Sequence, residues 1–181
     1  WQEPKGKNPA VLVAKIHLGK PARIAATSLT IRGEAKDDEV FEALKENLPK
    51  KGRQLNHGEY ESFKSSIERA AIRHGYFDGE FVTSELGVDA VENKAYWTFD
   101  YDAKTRYRFG DIRFNGSQIR EPILVNLLPL KKGDPYTSDD ISELDRRLSA
   151  TGWFNSVVVS PDIFSGRGSD DKSLPVYANV T

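Results

Sequence analysis

The side chains that could do chemistry in this chain are few, and their spacing is poor for it. Three histidines stand apart at His17, His57 and His74, and there is no cysteine. A metal site needs three or four ligands that converge, so no metal ligand is assigned. His74 falls in the last turn of a predicted helix, where a cation meets the negative end of the dipole. Two acidic pairs, Asp37-Asp38 and Asp139-Asp140, could serve as catalytic carboxylates or a cation site. Both precede apolar periodic runs and suit helix N-termini, which stabilise anions. Two lysine pairs, Lys50-Lys51 and Lys131-Lys132, each stand before a glycine. They could touch lipid headgroups or an acidic partner, or simply solvate a loop. No nucleophile elbow, zinc helix, phosphate loop or dinucleotide fingerprint occurs. The chain is expected to be no enzyme and to hold no cofactor.

The elements that carry these residues repeat. RHGYFDGEF around Gly75 returns as ATGWFNSVV around Gly152; LTIRG ending at Gly33 returns as IRFNG ending at Gly116; LPKKG returns as LPLKKG. The offset is about 80 residues each time, the size of a small self-supporting unit. Residues 25–32 and 107–114 alternate as half-buried strands. Helices are predicted over 38–48 and 121–128, stopped by Pro49 and Pro129. Second helices begin at a capping box, Asn56-x-x-Glu59, and at Ser138. They end where Gly75 and Gly152 can take the left-handed conformation. Tyr76 and Phe77, with Trp153 and Phe154, are expected to lock each second helix onto its sheet. Strands follow over 80–88 and 94–101, then 156–164 and 174–180, with a flexible hairpin tip over 165–172. Each unit therefore reads β-α-α-β-β, an α+β layer of three strands with two helices on one face.

Composition agrees with small water-exposed domains. The chain has 181 residues, 38% of them hydrophobic, with 26 Lys and Arg against 27 Asp and Glu. Mean hydropathy is −0.56, and no apolar run reaches the roughly 20 residues that cross a bilayer as a helix. The charge balance argues against nucleic acid as a partner. The chain lacks methionine, which suggests a processed or excised piece. Residues 10–18 are expected to be the last strand of a preceding unit. The predicted division is 1–20, a truncated unit, then 21–102 and 103–181.

Tandem β-α-α-β-β units with a Gly-aromatic-Phe transition resemble POTRA domains of the Omp85 superfamily. The first-strand motif Tyr107–Gly116, YRFGDIRFNG, is part of that resemblance. RRLSATGWFNSVVV, together with YESFK and RHGYFD, is similar more narrowly to the TamA branch, the translocation and assembly module subunits. The resemblance implies a periplasmic, chaperone-like scaffold beside a C-terminal barrel in the outer membrane of a Gram-negative bacterium. It implies outer-membrane or autotransporter clients and a periplasm-spanning inner-membrane partner, TamB. It also places an edge strand second in each sheet. That strand would be Glu80, Phe81, Val82, Thr83, Ser84, Glu85 and Leu86 in one unit. In the other it would be Ser156, Val157, Val158, Val159 and Ser160. An extended client could pair there by strand addition. A spacer or hinge that binds nothing is the alternative.

Overall fold

The computed structural model describes residues 13–15, 19–167 and 170–181. The strand expected over 10–18 lies for the most part outside the described residues, and 13–15 carry no strand. From there the chain runs β1 (Arg23–Arg32), a 3-10 turn (Gly33–Ala35), α1 (Glu39–Glu46), α2 (His57–Arg73), β2 (Glu80–Asp89) and β3 (Lys94–Asp102). A second series follows: β4 (Arg108–Asn115), α3 (Glu121–Val125), α4 (Ser138–Ala150), β5 (Val157–Pro161), α5 (Ile163–Arg167) and β6 (Ser173–Val180).

The strands form two three-stranded sheets, ordered β1-β3-β2 and β4-β6-β5. In each, the last strand sits in the middle, parallel to the first and antiparallel to the second. The reason is visible in β3. Lys94, Tyr96 and Thr98 alternate with buried Ala95, Trp97 and Phe99, so one face must be covered. The two helices of the unit cover it. Phe41 of α1 and Tyr60 and Ile67 of α2 meet Trp97, Phe99 and Tyr101 in a single cluster. Burial of each such side chain contributes about 1.5–3 kcal/mol.

Helix starts follow their capping side chains. Asp38 accepts from the Val40 N–H and Asn56 from the Gly58 N–H. Thr137, one residue before the predicted Ser138, accepts from the Asp140 N–H. Glu59 does not close the expected capping box; its carboxylate goes to Arg53 at 2.7 Å.

The second unit departs from its twin in three places. The helix predicted over 121–128 is the single turn α3. The strand predicted over 156–164 is only β5, which ends at Pro161, and Ser156 lies outside it. Proline lacks an N–H donor and cannot continue a ladder. The expected hairpin tip is replaced at its start by α5, where buried Gly166 lies against Leu174; a Cβ there would meet the Leu174 side chain at 2.2 Å.

The two glycines that close the long helices do different work. Gly75 has φ +83° and Gly152 φ +66°, both in the left-handed region that a Cβ disfavours. A Cβ on Gly75 would also stand 2.9 Å from the Tyr136 Cβ of the second unit, whereas one on Gly152 would meet nothing within 4 Å. Gly152→Ala should therefore cost about 1 kcal/mol, the backbone term alone. Gly75→Ala should cost clearly more, read as the larger loss of urea midpoint in equilibrium unfolding.

Candidate functional site

Among the described residues, no group of three His, Cys, Asp or Glu is placed to hold a metal ion. His57 opens α2 and His74 caps its end; His17 lies outside the described residues. Asp38 is a cap, and Asp139 pairs with Arg73 at 2.8 Å. Lys132 is held by Asp111 at 2.7 Å, while Lys50 and Lys51 stand in an exposed loop. What remains are strand edges and the joint between the units.

Each sheet has its first and second strands at its edges. The first-strand edges are sealed at their starts by the loop after the first helix. Ile24 donates to the Arg53 carbonyl and accepts from Gly52; in the second unit Phe109 donates to the Asp134 carbonyl and accepts from Gly133. Among the described residues, β2 and β5 pair only with their central neighbours, which leaves their outer N–H and C=O groups without a ladder partner there. β2 offers ten residues and β5 five.

A bulge between Phe81 and Thr83 changes the faces of β2. Plain alternation groups Phe81 with Thr83 and Glu85, and Val82 with Ser84 and Leu86. The bulge instead turns Phe81, Ser84 and Leu86 toward the helices, opposite Tyr101, Phe99 and Trp97. Phe81 stacks edge-on against Tyr101 at 4.9 Å. Val82 is left 53% exposed. Glu80 pairs with Lys104 at 3.0 Å, and Glu85 is exposed. On β5, Val157 and Val159 pack inward, while Val158 and Ser160 face solvent.

The joint is made largely by the residues after Gly75. Tyr76 enters the first core, edge-on to Phe41 at 5.8 Å. Phe77, expected in the same core, crosses into the second and meets Tyr107 at 5.3 Å and Tyr136 at 5.1 Å. In the copy, Phe154 stays in its own core, and Trp153 is 49% exposed. The backbone ties the units as well: the Tyr107 N–H donates to the Gly75 carbonyl at 2.9 Å.

Two charged groups close the sides of the joint. The Asp78 carboxylate accepts from the Tyr107 hydroxyl at 2.7 Å and Lys172 at 3.1 Å, with Arg167 at 3.5 Å. Burial alone would raise its pKa; the hydrogen bonds from Tyr107 and Lys172 outweigh that and hold it below the usual carboxylate value. On the opposite side Asp38 takes the Tyr76 hydroxyl at 3.0 Å and Arg106 at 3.6 Å. Burial, then this bond to Asp38, pushes the Tyr76 hydroxyl up to about 12. Sequence reading missed Phe77 and Asp78 as joint residues. The one available signal was that Asp78 has no acidic counterpart, since Asn155 stands in its place.

Residues 107–181 match the POTRA family, described as "Surface antigen variable number repeat". The structure is similar to BamA from Haemophilus ducreyi lacking POTRA domains 1–3, with TM-score 0.63 and 18% identity over 88% of this chain and 29% of that one. It is similar also to POTRA3–5 of Haemophilus influenzae BamA, with TM-score 0.56 and 22% identity over 91% of this chain and 62% of that one. The chain thus spans less than two thirds of either protein's length. The second unit matches the POTRA family in sequence, and the pair has the fold of tandem POTRA domains.

Since Asp78 titrates lower in the folded protein than in the unfolded chain, its contribution is full above the unfolded value of about 3.8 and disappears as pH falls through the folded one. Asp78→Asn should lower the melting temperature at neutral pH, and the gap to wild type should close as the pH is taken well below about 4. Thermal unfolding followed by circular dichroism across that range checks this.

Proposed function

We propose that this chain is the tandem POTRA region of an outer-membrane assembly or secretion protein of the Omp85 superfamily. It works in the periplasm as a non-catalytic scaffold that holds client polypeptides beside the membrane barrel. Units at 21–102 and 103–181 accord with this reading. The TamA-like motifs around Gly75 and Gly152 favour the translocation and assembly branch. That branch brings autotransporter clients and TamB as the periplasm-spanning partner.

The observation that carries the reading is the free edge of β2. An extended client laid along it gains main-chain hydrogen bonds of about 0.5–1.5 kcal/mol net each, without any demand on its sequence. This suits a scaffold with many clients. Ten residues of edge allow several such bonds; the five of β5, closed by Pro161, allow few. β2 is therefore the docking strand, and β5 is secondary. The bulge, Glu80 and Glu85 are devices that keep such an edge from pairing with copies of itself.

The joint favours a second role as a spacer. A shared aromatic cluster and two carboxylate clamps hold the units at one angle, so a client captured on β2 is presented in a set direction. The spacer alone would bind nothing.

An amide NMR titration with an extended peptide taken from an outer-membrane barrel strand tests this. Saturable shifts confined to 80–89 are expected. Absence of shifts at millimolar peptide leaves the spacer as the better account, and shifts confined to 157–161 reassign docking to β5.

A further inference from the structure

The second unit has a further open edge, on β4. The start of that edge is sealed at Phe109 by Gly133 and Asp134. Beyond the seal, residues 112–115 pair with β6 on one side and have no backbone partner on the other among the described residues. Two cavities of about 330 and 440 Å³ lie along this stretch and share Ile112. No residue of β6 lines either, which puts both on the outer side of β4. The smaller is floored by Ile112, Val125, Leu128 and Leu130. The larger continues past Phe114 and Leu124. They stay open because α3 is a single turn. In the first unit α1 runs eight residues and buries Phe41 completely, whereas Ile123 and Val125 of α3 are left 41% and 47% exposed.

The chemistry of the groove narrows its occupant. An unpaired row of N–H and C=O groups is met by a partner with the same row, which an extended peptide has and a lipid lacks. Such a strand turns every second side chain toward the helices, and there the floor is apolar. Lys131 and Lys132 stand at the mouth. Lys132 pairs with Asp111 at 2.7 Å. Lys131 donates its backbone N–H to the Asp134 carboxylate at 2.8 Å, while its ammonium has no ion pair among the described residues. An apolar floor thus lies beside an unpaired backbone edge and a basic rim.

We infer that the outer edge of β4 takes an extended polypeptide by strand addition, with alternate aliphatic side chains seated on the apolar floor and an acidic residue beside Lys131. Main-chain bonds and apolar contact carry the binding, and the acid sets a preference among sequences. This site stands independently of the docking proposed at β2.

The probe is the blocked peptide acetyl-Glu-Leu-Thr-Leu-Glu-amide, titrated into the full 181-residue chain and followed by amide and methyl NMR. Saturable movement of the amides of 111–115 and of the Ile112, Val125 and Leu128 methyls is expected. Methylating the central amide nitrogens of the peptide removes its donors and weakens binding about tenfold or more. Lysine in place of both glutamates weakens it about fivefold. Val125→Glu, which sets a carboxylate in the groove, also weakens it, but the peptide changes leave the protein untouched, so folding of that variant does not decide the outcome. The amides of 80–89 are read in the same spectra, so the two edges are judged separately. No saturable movement at 111–115, or equal binding by the methylated or the lysine peptide, overturns the inference. So does movement of these signals with protein concentration alone, which gives the edge to a second copy of the chain. Movement with phosphatidylglycerol vesicles but not with the peptide gives the patch to a lipid surface and overturns it as well.

Discussion

Phe77 belongs to the first unit by chain position and to the second by packing, and the arrangement of the pair depends on that exchange. The exchange requires a chain reversal with no side chain in the way. Gly75 supplies it, with φ +83° and the Tyr136 Cβ only 2.9 Å from where its own would stand. Once the chain has turned, Tyr76 closes the first core and Phe77 enters the second. Tyr107 then has both its backbone N–H and its hydroxyl engaged by the first unit. Few independent motions of the units would leave these bonds intact.

The charges around the joint are arranged to hold it from two sides. Asp78 draws Tyr107, Lys172 and Arg167 from the second unit; Asp38 draws Arg106 across toward the first. Aromatic packing supplies most of the attraction, being dry and insensitive to salt. The partly exposed ion pairs add less, because water screens them, but they set direction. Together these contacts tie the chain just after α2 in the first unit to the start of β4 and to Lys172 before β6 in the second.

Much of this was legible in the chain. The internal repeat, the α+β order and the strand alternation at Trp97, Phe99 and Tyr101 follow from local periodicity and from turn glycines, which act over a few residues. Edge positions for β2 and β5 came from family likeness rather than from periodicity. The phase of β2 was not legible, because the bulge at 81–83 depends on pairing with β3. Nor was α5, a short helix whose buried Gly166 makes room for Leu174 from another strand.

The sequence by itself determined the repeated unit, its strands and helices, and the apolar face of each, because these rest on spacing within one segment. Only the tertiary structure decided that Phe77 and Phe154, alike in sequence, serve different cores. It alone gave Arg53 and Arg73 their carboxylates, Glu59 and Asp139. Both facts depend on which distant residues arrive beside them, and a side chain's partners across space are set by the packing of whole elements.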